Sequence, residues 1–187
     1  MIFVGVDPDT HDLPIAWIFF ADVGGIPIPQ GTLMIDMIHV PRTFKADQAC
    51  ALMARQLHHY GSEQAPKGCD ILCVEAQHFS SKSRSRPQDI ARLSVVAGAA
   101  GGAIKCRDLW LLPPVQWKGS VPKQIHQARI AKKLRWSVDP IGDLKTGYCA
   151  PRDPEILALL PKHSDWKHAF DAIGLALWAL ENWEKRR

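Results

Sequence analysis

Three segments of this chain carry acids in places where acids are costly. Ile2-Phe3-Val4-Gly5-Val6-Asp7-Pro8 is an apolar run with β-branched residues that ends at Asp7, the pattern of a buried strand that stops on a carboxylate. Pro8 lacks the N–H that would continue a ladder. Ile71-Leu72-Cys73-Val74-Glu75 repeats the arrangement and ends at Glu75. Far downstream, His168 and Asp171 are spaced i and i+3 within a predicted helix, so both lie on one of its faces. Taken alone, Asp7-Pro8 also reads as ordinary turn chemistry. Taken together, the segments offer more. If the two strands are neighbours running the same way, Asp7 and Glu75 meet at one edge of a sheet, where the helix can add His168 and Asp171. Such a hard, oxygen-rich set suits Mg²⁺ or Mn²⁺. Its natural chemistry is phosphodiester hydrolysis, in which two cations held ~4 Å apart activate a water and stabilise the leaving oxygen.

The elements that must position these residues follow from periodicity. Ile15 to Phe20 reads as a second strand and Thr32 to Ile38 as a third, joined by turn-rich connections that imply an antiparallel meander. A helix from Ala46 to about Tyr60 is closed by Gly61. After Glu75 comes a polar loop, Ser80 to Arg86, then a small-residue helix from Gln88 to Ile104 whose glycines suggest close packing. Leu109 to Leu112 is a fifth strand, stopped by Pro113-Pro114. A basic helix follows, with Ser120 as its expected N-cap and Pro122 in its first turn. The stretch 138–162, rich in Pro and Gly, is expected to be a loop-like insertion with one short helix at Asp153-Pro154-Glu155. The last helix runs from Asp165 to about Glu184. The resulting order, βββαβαβα, predicts an α/β domain: a mixed five-stranded sheet with helices on its faces. The 187 residues are expected to form one domain.

Composition narrows the function classes. A 47% hydrophobic, 22% charged chain is ordinary for a globular protein. No apolar run approaches a membrane span, and the first ten residues lack the basic region of a secretory signal, so a cytoplasmic location is expected. Five cysteines without paired-knuckle spacing are read as reduced thiols. The net charge is +4, which permits a nucleic-acid partner without requiring one. Its distribution is more telling. Lys118, Lys123, Arg129, Lys132, Lys133 and Arg135 fall in one stretch without an acid, and Lys82, Arg84 and Arg86 form a second basic cluster. Most charge runs are simply solvated faces; beside an acid cluster, these become candidate phosphate contacts.

Val4-Gly5-Val6-Asp7-Pro8, Val74-Glu75 and His168-Ala169-Phe170-Asp171-Ala172 resemble, in order and spacing, the active-site segments of RuvC-type Holliday junction resolvases. These enzymes belong to the RNase H-like (retroviral integrase) superfamily. The resemblance spans roughly Met1 to Arg135 and Asp165 to Trp183. It implies an RNase H-like fold and a homodimer that nicks two strands of a four-way DNA junction, with two Mg²⁺ ions (Mn²⁺ as a substitute) as cofactor. Asp7, Glu75 and Asp171 carry over as catalytic, metal-binding carboxylates, and His168 occupies a metal-site position that is Asp or His in the family. Lys118 and Lys123 resemble lysines that contact DNA near the scissile phosphate. Phe79, with His78 competing for the role, resembles an aromatic that wedges into the junction. Two departures suggest a divergent, phage-type branch found in a bacterial or phage-infected cell. Asp9 stands where the family has Gly and could be a spare ligand, and the 138–162 stretch is longer than its counterpart.

Two rival readings remain. A non-catalytic branched-DNA-binding protein could use the same fold; binding without cleavage would reveal it. An actin-like ATPase or sugar kinase also begins with a strand ending in Asp, but needs Gly-rich phosphate loops after strands. Here Pro-Asp-Thr follows Asp7, and Gly101-Gly102 falls inside a predicted helix.

Overall fold

The computed structural model describes residues 1–9, 11–20, 33–63, 68–76, 86–144, 147–160 and 162–186. In chain order the elements are β1 (Ile2–Val6), β2 (Asp12–Phe19), β3 (Leu33–His39), α1 (Ala46–Glu63), β4 (Cys69–Glu75), α2 (Pro87–Ala103) and β5 (Cys106–Leu112). There follow α3 (Pro114–Trp117), α4 (Lys123–Leu134), β6 (Val138–Ile141), β7 (Tyr148–Pro151), α5 (Pro154–Leu157) and α6 (Trp166–Asn182).

Five strands form one mixed sheet in the order β3-β2-β1-β4-β5. The meander predicted at the N-terminus is present: β1 pairs antiparallel with β2, and β2 with β3. β4 then joins the other side of β1 in parallel, with Val6 opposite Val74, and β5 pairs in parallel with β4. Because β1 and β4 run the same way, their C-terminal ends lie side by side. That is what brings the two strand-end acids to one edge.

The two sheet faces are covered differently. One carries Val4, Val6, Leu13, Ile15, Trp17 and Leu72 against α1 and α2. The other carries Phe3, Ala16, Ile18, Ile71 and Cys73 against α6, which is buried nearly all round. Trp17 donates its indole N–H to the Tyr60 hydroxyl (2.8 Å), and that hydroxyl donates to Asp36 (2.6 Å), tying α1 to β2 and β3. Gly5 lets α6 lie directly on β1: a β-carbon there would fall 1.9 Å from the Ala172 carbonyl oxygen.

Three local expectations are corrected. Gly61 does not end α1, which continues to Glu63; a β-carbon at Gly61 would sit 2.2 Å from the Ala103 oxygen, so this glycine serves packing against the end of α2. Ser120 does not cap the basic helix. Gly119 adopts a left-handed φ of 68°, which separates α3 from α4, and α4 starts at Lys123 with Pro122 as its N-cap.

The 138–162 stretch is not loop-like: β6 and β7 form an antiparallel ribbon, and α5 is the short helix expected after Asp153, whose side chain caps it. A two-stranded ribbon has only edge strands, so its prolines are tolerated. Buried glutamines of α4 anchor it. Gln127 accepts from the Cys149 N–H (2.8 Å) and donates to the Lys167 carbonyl (2.9 Å), while Gln124 donates to the Ile141 carbonyl (3.2 Å).

The five cysteines are all free thiols. Among the described residues, no helix is long and apolar enough to cross a membrane.

Candidate active site

Asp7 lies just beyond the end of β1, Glu75 is the last residue of β4, and α6 crosses beneath them carrying His168 and Asp171. All four line one cleft of about 400 Å³, together with Asp9, Asp89, Lys118 and Lys123. The carboxylates are deeply set: Asp7 is 7% exposed, Glu75 3% and Asp171 2%. Position follows from local sequence. β1 and β4 stop at the same sheet edge, and the glycine two residues before Asp7 permits the close helix that presents Asp171.

The contacts form a chain of ionisable groups. His168 Nδ1 stands 3.5 Å from Asp7 Oδ2, and its Nε2 lies 3.9 Å from Asp9 Oδ2. On the other side, Lys118 Nζ donates to Glu75 Oε2 at 2.9 Å and lies 3.8 Å from Asp171 Oδ2. Lys123 Nζ meets the same Asp171 oxygen at 2.7 Å. Trp117 adds an indole N–H to Glu75 Oε2 at 3.1 Å.

Burial, together with the charge of Asp7, pushes the Glu75 carboxyl up to about 7 despite its contact with Lys118. Burial acts the same way on Asp171, but the ammoniums of Lys123 and Lys118 outweigh it and hold that carboxyl below its ordinary range. For Lys118, burial favours the neutral amine, yet Asp171, Glu75 and Asp7 together keep it charged and raise it. Like charges crowded at the end of a sheet are thus only partly compensated. Five carboxylates line the cleft against two ammoniums.

The donor set fits a hard divalent cation in kind, and the buried Asp171 Oδ1 has no hydrogen-bond partner. In the conformation shown, however, no three His, Cys, Asp or Glu side chains among the described residues are grouped so as to hold an ion. Two of the acids are instead paired with the lysine ammoniums.

The structure therefore brings together Asp7, Glu75, His168, Asp171, Lys118 and Lys123. Asp9 is close by, and the backbone N–H of His11 donates to its Oδ1 (3.2 Å). Lys118 and Lys123, which the resemblance implies contact DNA near the scissile phosphate, point into the acid cleft. Arg129 is exposed on α4, and Arg86 is exposed at the start of α2, outside the group lining the cleft. Phe79, His78, Lys82 and Arg84 lie outside the described residues. Gly101 and Gly102 sit in the last turn of α2 rather than after a strand, so they form no phosphate loop. Trp117 also contacts the site through its indole N–H; its place directly before Lys118 was the signal available in the sequence.

The sheet order and the α6 crossing define an α/β fold of the RNase H-like class. Solved RuvC structures share this fold. The chain is similar to a Thermus thermophilus RuvC structure, with 16% identity and a TM-score of 0.55 over 100% of this chain and 97% of that one. It is also similar to T. thermophilus RuvC in complex with Holliday junction substrate, at 13% identity and a TM-score of 0.58 over 99% and 96% of the two chains. No family model and no curated protein sequence matches the chain.

Proposed function

We propose that this protein is a structure-selective DNA endonuclease that resolves four-way junctions by paired nicking, as a homodimer and with divalent metal as cofactor. The observation that carries this reading is the convergence of Asp7, Glu75 and Asp171 in one cleft, at the ends of two parallel strands and on the helix beneath them. The fold supports it, since a structure of the same fold is solved with Holliday junction substrate.

Asp7, Glu75, Asp171 and His168 would hold Mg²⁺, with Mn²⁺ as a substitute and two ions expected from the chemistry. When bound, the metal supplies the charge neutralisation and water activation that phosphodiester hydrolysis needs. His168, beside both Asp7 and Asp9, orients the Asp7 carboxylate. Lys118 remains an ammonium and, with Lys123, is placed to move from carboxylate to phosphate oxygen when DNA enters, a charge-assisted contact in either state. Arg129 and Arg86, with the basic residues of 82–84, add sequence-independent phosphate attraction. A two-fold dimer would set one cleft against each of two symmetry-related strands.

The test is cleavage of end-labelled four-way junction and of matched linear duplex, with Mg²⁺, Mn²⁺ or EDTA. Wild type is run beside Asp7→Asn and Asp171→Asn. Paired nicks on the junction, lost in EDTA and in both variants, are expected. Tight junction binding without cleavage would favour a non-catalytic binder, a reading consistent with the lysines seated among the acids. No binding would refute the DNA reading altogether.

A further inference from the structure

We infer that Trp117 is a positioning residue: its indole N–H sets the rotation of the Glu75 carboxylate for the cation that the acid cleft takes. This inference rests on the metal-site reading above and adds a residue to it.

Trp117 ends α3 and is buried. Its Nε1 donates to Glu75 Oε2 at 3.1 Å, and Lys118 Nζ donates to the same oxygen at 2.9 Å. The terminal torsion of a glutamate is broad and roughly two-fold, so a carboxylate at a strand end needs an external constraint to hold one plane. Two donors converging on one oxygen provide it. The two differ in stiffness. Lys118 reaches through four methylenes, whereas the indole is a rigid plate.

Its neighbours fix that plate on several sides. The ring of His126 on α4 meets it edge-on, with centroids 4.9 Å apart at 75°. Gly174 on α6 leaves room for it: a β-carbon there would lie 2.7 Å from Trp117 Cζ3. Lys118 Nζ stands 4.8 Å from the centroid of the same ring, close enough for cation–π attraction. Trp117 therefore touches both the acid and its countercharge, and is itself held by the helix that carries Asp171. Groups that orient a metal ligand in this way change metal affinity by about 10–100-fold when removed.

The competing explanation is that Trp117 fills space and its N–H takes the nearest acceptor. Replacing the indole by benzothiophene (β-(3-benzothienyl)alanine at position 117) keeps the shape and removes the N–H. Trp117→Phe is the encoded counterpart. Mn²⁺ binding is measured by electron paramagnetic resonance without DNA, thermal melting is followed in EDTA, and the ¹⁵N–¹H indole resonance of wild-type Trp117 is tracked during Mg²⁺ titration.

The expected result has three parts. Mn²⁺ affinity falls about tenfold in the analogue, its melting temperature in EDTA stays close to wild type, and the wild-type indole resonance shifts with the binding midpoint. Equal Mn²⁺ affinity in wild type and analogue would overturn the role of Trp117 while leaving the metal site standing. No Mn²⁺ binding by wild type would overturn the metal site and this inference with it. If Trp117→Phe does not fold, the analogue alone decides.

Discussion

Replacing Gly5 by alanine would drive a methyl group into the backbone of α6. The added carbon would lie 1.9 Å from the Ala172 oxygen and 2.7 Å from the Ala176 nitrogen. Both obstacles are main chain in the middle of a helix, so no side chain can rotate away. Relief requires α6 to move off β1 by about 1 Å, since carbon–oxygen contacts below about 3.3 Å are rare. Overpacking a core costs about 1–3 kcal/mol, and a backbone clash on a central strand belongs at the top of that range. For a chain of this size, about 3 kcal/mol lowers Tm by roughly 6–12 °C. The same retreat draws Asp171 and His168 away from Asp7, and a misplacement of about 1 Å can cost ~10²-fold in rate. Thermal melting and junction cleavage, assayed well below the lowered Tm, separate the two effects. A Gly5→Ala protein that melts within 2 °C of wild type and cuts within about threefold of it would refute the contact between α6 and β1 as the feature that sets the site.

Two further outcomes follow from the electrostatics. Glu75→Gln should abolish cleavage yet raise the melting temperature of the metal-free protein at pH 8. With the folded carboxyl at about 7 against an ordinary 4.5, the folded chain holds a proton that the unfolded chain has already released between those values. The stability this group contributes is therefore complete below pH 4.5 and is lost as pH rises through 7. Allowing for the partner Lys118 loses, the variant should gain about 1–2 kcal/mol, or some 2–8 °C, at pH 8 and little at pH 4.5. A fall in Tm at pH 8 would contradict the burial cost. Lys123→Met removes the ammonium 2.7 Å from a buried Asp171 oxygen. Breaking such a pair costs about 3–5 kcal/mol, tempered here by Lys118; a drop of roughly 5–10 °C in EDTA, recovered by Mn²⁺, is expected. A drop that metal leaves unchanged would separate Asp171 from the proposed ion.

Much of the site was legible in the chain. An apolar run that ends on an acid leaves few other places for that acid, and two such runs pairing in parallel put Asp7 beside Glu75. The i, i+3 spacing on α6 carried His168 and Asp171 to the same cleft. The direction of the lysines was not legible. A basic stretch specifies charge but not where a long side chain turns, and Lys118 and Lys123 turned toward the uncompensated acids rather than toward solvent.

Proline and glycine content suggested a loop at 138–162, because local propensity says nothing of partners distant in sequence. The ribbon there depends on Gln124 and Gln127 reaching from α4 to its backbone. Gly61 departs from its expected role for a related reason: a glycine that ends a helix and one that admits a neighbouring carbonyl look the same in sequence.

The enclosure of α6 bears on how the molecule opens. This helix lies on β1, β2 and β4, is flanked by α4 and touches β7, so its amides can be exposed only by parting the sheet from the ribbon. Hydrogen exchange through its centre should then report global unfolding, whereas Lys118 and Lys123 can leave their carboxylates by rotation alone. The fold thus divides the cleft between an enclosed helix, which carries Asp171, and countercharges on long side chains that turn about single bonds. Rearrangement of charge in the cleft can therefore proceed while the framework that spaces the acids stays still.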